Sequence, residues 1–337
     1  MLCRRRPTGA NWNGPKPKEC RASSSKKYIA YPSLRQMGTE SFRFGVVTLV
    51  GRPNVGKSSI MNGLIGNKVS ITSRKPQTTR HRIQGICSTD EYQIVFVDTP
   101  GIHESAGVAM NKILNRTARS SLNEVDLILM VVDARRWTSG DTRVLVDAGA
   151  TESSVWLILN KIDLLGRPDL VLPRIDQVRR RYDFGEIVPL SAKTGDNLDH
   201  LMTLVAGVMP EGPSGYPTQQ VTDSSDVFIA AEFIREQIFR LVGDEIPYET
   251  AVDIRSFSER KDGLVSIEAD IWCENKRQRS ILIGDDGDRL KTIGSKAREQ
   301  IQRYLGKKVY LEQWIKVKKG WADDKRMLAK VGYSRWE

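Results

Sequence analysis

Cysteine and histidine are scarce in this chain of 337 residues: Cys3, Cys20, Cys87 and Cys273 are dispersed without C-x-x-C spacing, and only His81, His103 and His200 accompany them. Neither a disulfide framework nor a zinc cluster can be built from such a set, and reduced, cytoplasmic surroundings are the expectation. Long apolar runs are lacking too. The longest, Val125 to Val132, falls far short of the roughly 18 residues a membrane-crossing helix needs. Acidic residues are nearly absent from the first 36 positions, where nine basic residues face Glu19 alone. That stretch also carries Pro7, Pro15, Pro17 and Pro32 and few aliphatics, so residues 1–40 are expected to be a disordered basic tail. Three readings of it stay open: residues upstream of a true start at Met37, an organellar transit peptide, or a basic nucleic-acid arm.

What is present is ordinary for a soluble globular protein, with 39% hydrophobic and 28% charged residues, and at about 150 residues per domain the length favours two domains. The net charge of +11 favours an anionic partner. Phe44 to Val50 is a short β-branched apolar run of the buried parallel-strand type. Gly51-Arg52-Pro53-Asn54-Val55-Gly56-Lys57-Ser58-Ser59 follows, opening the helical stretch Ser58 to Ile65. This fits G-x-x-x-x-G-K-[ST] in the required strand-to-helix context: backbone N–H groups close on the β-phosphate, Lys57 reaches the β- and γ-phosphates, and Ser58 offers its hydroxyl to Mg²⁺.

A second strand-like run, Tyr92 to Val97, ends in Asp98-Thr99-Pro100-Gly101. An aspartate closing a buried strand is costly unless it holds something, and Mg²⁺ is the natural partner, with Gly101 bringing its N–H to a γ-phosphate. In the polar loop between these motifs Thr79 is the expected further Mg²⁺ ligand, with Thr78 beside it. Arg74 and Arg80 could act in cis on developing charge or be solvated loop charges. Strand-like Val155 to Leu159 leads into Asn160-Lys161-Ile162-Asp163, where Asp163 can accept from guanine N1 and N2, so GTP is expected over ATP. Ser191-Ala192-Lys193 would supply a backbone N–H near Ala192 to guanine O6. Strands alternating with helical stretches predict a doubly wound, mostly parallel α/β sheet with every motif at the strands' carboxyl ends.

The order and spacing of these motifs resemble the P-loop GTPases, and G-R-P-N-V-G-K-S with Q-T-T-R-H-R narrows the resemblance to the Era/TrmE branch. Ras-like enzymes carry a water-orienting glutamine where this chain has Ile102, so slow intrinsic hydrolysis is expected. Asn54 is the residue type with which related GTPases bind K⁺, which implies K⁺ as a further cofactor beside GTP/GDP and Mg²⁺.

Three prolines and two glycines between Pro210 and Pro217 mark a domain boundary. The expected division is a GTPase domain over 41–209, a linker over 210–224 and a second domain over 225–337. There Phe228, Ala231, Ile234, Ile238 and Leu241 recur at helical spacing, two strand-like runs follow, and Gly284-Asp285-Asp286-Gly287 lies between helical pieces before a last strand. This is the layout of an α+β, type II KH domain, whose G-x-x-G loop clamps single-stranded RNA. Two acids inside the loop should weaken that clamp. Across residues 276–335, however, 17 basic residues face 7 acidic ones. Arg289, Lys291, Lys296 and Arg298 are candidates for phosphate contact, and Tyr310, Trp314 and Trp321 for base stacking.

A GTPase of this type joined to this KH arrangement, with I-G-S-K-A-R-E and L-E-Q-W-I-K-V-K-K-G-W-A-D-D, resembles the Era family from about Phe42 to Tyr333. The resemblance implies a monomeric GTPase that binds the 3′ end of small-subunit ribosomal RNA and assists 30S subunit maturation, in the cytoplasm with peripheral contact at the inner membrane. Two other readings are an RNA-binding scaffold holding nucleotide as a structural ligand, and a membrane-associated signalling GTPase. If the tail is a transit peptide, the location is an organelle.

Overall fold

The structure, a computed structural model, describes residues 42–73, 75, 78–100, 118, 120–122, 125–243, 246–324 and 327–328. Arg74, Gly101, Ile102 and the basic tail lie outside these. Strands β1 (Arg43–Val50), β2 (Ile83–Ser88), β3 (Tyr92–Asp98), β4 (Leu127–Asp133), β5 (Ser154–Asn160) and β6 (Ile187–Leu190) form one sheet in the order β2-β3-β1-β4-β5-β6. All pairs are parallel except β2 with β3. Every residue of β4 is buried because both sheet faces are covered, as parallel sheets require. Side chains alternate between faces at period two. Leu127, Leu129 and Val131 thus join the core with Ile60, Met61 and Leu201, while Ile128, Met130 and Val132 join Val144, Leu145 and Val178 on the other side. These layers bring in α1 (Lys57–Ile65), α2 (Ser139–Gly149), α3 (Val171–Arg179) and α4 (Leu198–Val208).

The second unit has α5 (Asp226–Leu241), β7 (Ala251–Glu259), β8 (Val265–Cys273), α6 (Lys276–Ile283), α7 (Asp288–Leu305) and β9 (Val309–Val317). Its sheet runs β7-β8-β9, with β7 antiparallel and β9 parallel to β8. Ser225 caps α5 by accepting from the Phe228 N–H at 3.3 Å, the role serine plays at helix starts.

Two features depart from the sequence reading. Strand β2 was not anticipated; Ile83, Gly85 and Ile86 are buried on it. The proline-rich segment, expected only as a linker, runs along the β2 side of the sheet. Ile86 N–H donates to Val221 O at 2.9 Å, Thr222 bridges to Gly85, and the Gln93 carboxamide accepts from Gly215 and Tyr216 N–H groups at 2.8 Å each. A sheet edge left bare is a pairing liability, and the segment covers it.

Candidate functional site

The P-loop turns at Gly51 (φ 154°) and Gly56 (φ 106°). A Cβ at Gly51 would strike Val131 O and one at Gly56 the Asn160 carboxamide, so both glycines are demanded by close approach as well as by backbone angle. Asn54 adopts φ 62°. Arg52 is drawn aside by buried Asp141 of α2, Nε to Oδ1 at 2.7 Å. Lys57 is buried, and its Nζ donates to Gly51 O at 3.0 Å and Arg52 O at 3.1 Å. Burial lowers its pKa to about 8, against the raising effect of Asp98.

At the first turn of α1 three side-chain oxygens converge. Ser58 Oγ lies 2.5 Å from Asp98 Oδ2 and 2.9 Å from Thr79 Oγ1, and Thr79 Oγ1 lies 3.3 Å from the same carboxylate oxygen. Ser70 Oγ, which no motif singles out, also donates to Asp98 Oδ2 at 2.8 Å. Asp98 Oδ1 is buried with no hydrogen-bond partner, and burial raises this carboxyl's pKa. A buried carboxylate oxygen without a donor, beside two hydroxyls, is a hard-oxygen set that suits Mg²⁺. Thr78 does not join it: its hydroxyl bonds Ser73 and Lys75 O. Thr99 is structural, donating to Leu49 O at 2.9 Å, and Pro100 is buried beside it.

At the base-recognition end, Asn160 Nδ2 donates to Val55 O at 2.7 Å, tying β5 to the P-loop. Asp163 Oδ1 accepts from Ser191 Oγ at 2.7 Å, which orients the carboxylate. The Ala192 N–H, expected near guanine O6, donates to Asn160 Oδ1 at 3.0 Å and so steadies the asparagine. Lys161 (φ 68°) lays Nζ on Asn54 O at 2.6 Å and Asp133 Oδ2 at 3.1 Å. Burial would raise the Asp133 pKa, yet hydrogen bonds from Arg135 and Lys161 outweigh it and hold the group well below the usual carboxylate range. Asp133 was missed, although it ends a buried strand as Asp98 does and the same argument would have found it. A cavity of about 440 Å³ joins the two ends, with Pro53, Ser59, Lys161, Lys193 and Leu164 in its wall together with Lys57, Ser58, Thr79 and Asp163. Ile162 opens the short 3₁₀ turn Ile162–Leu164 behind it.

The fourth wall belongs to a segment leading into β2, and that segment is fastened to the second unit. Ile71, fully buried, packs in one cluster with Ile229, Phe233 and Ile267. Arg80 is neither a solvated charge nor aimed at the cavity. It is 2% exposed and donates to Tyr248 O and Thr250 O at 2.9 Å each.

In the KH-like unit, Gly284 (φ 74°), Asp286 (φ 48°) and Gly287 (φ 82°) form the turn between α6 and α7. Asp285 and Asp286 are exposed on it, as are Lys291, Lys296 and Arg298 along α7. Arg289 instead caps the carbonyl of Ile281. Trp321 is fully buried and donates to Glu249 O at 2.9 Å, so it offers no stacking surface. Trp314 is 38% exposed, with the Arg255 guanidinium 4.2 Å from its ring centre. Several of the basic residues counted in the sequence are already paired: Lys307 with Glu259, Lys316 with Asp270 and Lys318 with Asp324.

Comparison with known proteins agrees with this division. Residues 46–161 match a family described as 50S ribosome-binding GTPase, and residues 245–322 match the KH domain. GTPase Era of Geobacter metallireducens is 48% identical over 301 residues, covering 88% of this chain and 100% of the relative. GTPase Era of Coxiella burnetii is 46% identical over 289 residues, covering 86% and 97%. Among solved structures, an Aquifex aeolicus Era variant bound to GDP and AlF4⁻ has a TM-score of 0.83 at 36% identity, covering 86% of this chain and 99% of that one. Era in complex with MgGDPNP and nucleotides 1506–1542 of 16S ribosomal RNA has a TM-score of 0.83 at 36% identity, covering 87% and 99%. The P-loop cavity, the mostly parallel sheet and the KH unit behind it therefore belong together, and the chain is a member of the Era family of GTPases.

Proposed function

We propose that this GTPase is a ribosome-assembly factor that binds the 3′ end of small-subunit ribosomal RNA through its KH domain and assists 30S subunit maturation, with the GTP or GDP state controlling its hold on RNA. The observation that carries this reading is the shared wall: the segment bearing Thr79 lines the nucleotide cavity and packs its Ile71 among the apolar side chains of the KH unit. An Era relative captured with a 16S RNA segment supports the choice of RNA.

Ser58, Thr79 and Asp98 would hold Mg²⁺, which supplies charge neutralisation at the β- and γ-phosphates. Lys57 contacts those phosphates, Asp163 selects guanine, and the Thr79 segment shields the reacting end from bulk water. Thr79, with Gly101 from the sequence motif, contacts the γ-phosphate end. With isoleucine at 102, intrinsic turnover is slow. Asn54 would hold K⁺, and turnover that is equal in Na⁺ and K⁺ would remove that part. The protein acts as a monomer in the cytoplasm, with peripheral contact at the inner membrane that flotation with anionic vesicles tests. The exposed Lys291, Lys296 and Arg298 engage RNA phosphates.

The deciding experiment measures RNA affinity for the 3′ segment in GTP-analogue and GDP states and cosedimentation with small subunits, with Lys57→Ala losing nucleotide. Equal RNA affinity in both states would overturn the switch and leave an RNA-binding scaffold with structural nucleotide.

A further inference from the structure

The first helix of the KH domain, α5, was expected to bury one apolar stripe. It buries its polar side as well: Glu232, Arg235, Glu236 and Gln237 are all 4% exposed or less. Two of them reach the GTPase domain's Thr79 segment: Glu236 accepts from Lys68 and Thr72, and Arg235 donates to the Thr78 carbonyl. Arg235 is chelated by Glu232, Nε to Oε1 at 2.7 Å and Nη2 to Oε2 at 2.5 Å, and the same Nη2 donates to Thr78 O at 2.5 Å. Two residues further on, Arg80 reaches the opposite way into the KH backbone at Tyr248 and Thr250. Thr79 therefore sits between two residues that are each tied to the KH domain. Its hydroxyl is the one that meets Ser58 and Asp98.

We propose that the KH domain completes the GTPase site, with Arg235 as a positioning residue that holds Thr79 against Ser58 and Asp98 through the Thr78 carbonyl, and Glu232 as the brace that fixes the guanidinium. This deepens the proposed function, resting on its assignment of Thr79 to the Mg²⁺ and γ-phosphate end.

Three physical arguments favour positioning over mere adhesion. A buried ion pair contributes little net stability, since desolvation offsets its attraction. Adhesion between the two units is already supplied by Ile71 among Ile229 and Phe233, and by the His81 ring edge-on to Phe228 at 5.1 Å. Those apolar contacts are not directional. The Arg235 bond is directional, and consecutive Cα atoms are about 3.8 Å apart. A shift of the 78 carbonyl is therefore passed to the Thr79 hydroxyl almost undiminished, and misplacement by about 1 Å can cost on the order of 100-fold in rate.

The test uses the full chain with Glu232→Gln/Arg235→Met, which removes both charges of the pair together, and Arg235→Lys, which keeps a donor for the carbonyl. The double variant is expected to lower kcat by roughly 10- to 100-fold. KM for GTP should stay within about twofold, because contacts to the base and β-phosphate persist. Hydrogen exchange of amides 78–82 should quicken without nucleotide present, and Arg235→Lys should recover at least half of the lost protection.

Unchanged kcat and unchanged exchange at 78–82 in the double variant overturn the proposal. So does equal quickening across the whole KH domain, which would mark Arg235 as a general stability element. If the double variant does not fold, Glu232→Gln alone decides, because it loosens the brace on the guanidinium: slowed turnover with native thermal stability supports positioning, and native turnover refutes it. RNA affinity is read in parallel. Loss of nucleotide-dependent RNA binding in the unmodified protein would refute the proposed function while leaving the kcat result to stand alone.

Discussion

Lys57 shows how one side chain sets a measurable dependence. Its ammonium is buried against P-loop carbonyls, and burial brings its pKa down to about 8 in the nucleotide-free protein. Phosphate oxygens favour the charged form, so nucleotide binding takes up a proton wherever the free protein has lost one. Affinity for GDP is thus expected to be flat below about pH 8 and to fall by up to about tenfold per pH unit above it. A fluorescent-GDP titration from neutral to alkaline pH checks this, and a flat profile would sink it. At this scale much of the site was legible, because Lys57, Ser58, Asp98, Asn160 and Asp163 stand at fixed offsets from strand ends. Ser70 was not legible. A serine in a polar loop carries no mark of the carboxylate it will meet 28 residues later in the chain.

At the scale of elements, the segment leading into β2 belongs to two cores. Ile71 lines the nucleotide cavity and is fully buried against KH side chains. Ile71→Ala is expected to cost about 2–5 kcal/mol, the range for emptying a buried isoleucine site. Because the loss falls on the contact between the units, the KH and GTPase transitions should separate in a thermal or urea scan. A single shifted transition would contradict that. The periodicity of α5 revealed its apolar stripe, but Glu232, Arg235 and Glu236 read as a solvated face. Nothing in a local pattern distinguishes a polar face that meets water from one that meets another domain's backbone. Strand β2 was illegible for a related reason: its pairing is with β3 and with Thr222, and only two of its six residues, Ile83 and Ile86, are β-branched.

At the scale of the whole molecule, docking of the two units should depend on acid. His81 is buried at their junction, facing Glu232, Arg235 and Arg80, and its pKa is lowered to about 4, chiefly by burial. A histidine whose folded value lies below its ordinary 6.5 is bound to fewer protons in the folded state. Its contribution is therefore complete above about pH 6.5 and is lost as pH falls toward 4, on the order of 3 kcal/mol in all. Glu232 has its pKa raised by burial and lowered further by Arg235, and it settles below the ordinary carboxylate value. Its own loss begins only nearer pH 4.5. Stability measured between pH 7 and 5 is expected to decline, and His81→Gln to flatten that decline. An unchanged slope in the variant would assign the effect elsewhere.

The sequence by itself determined the chemistry: which phosphates are gripped, which base is read, and that a KH unit follows, because each of these needs particular residue types at fixed local spacing. Tertiary structure alone decided what the charges do. The seventeen basic residues between positions 276 and 335 are partly spent in ion pairs, Trp321 is a core residue, and Arg80 reaches into the other domain rather than the nucleotide cavity. Charge and aromaticity are properties of a residue, but exposure and partnership belong to the packed molecule. Only the fold sets the Thr78 carbonyl within reach of Arg235, 157 positions away.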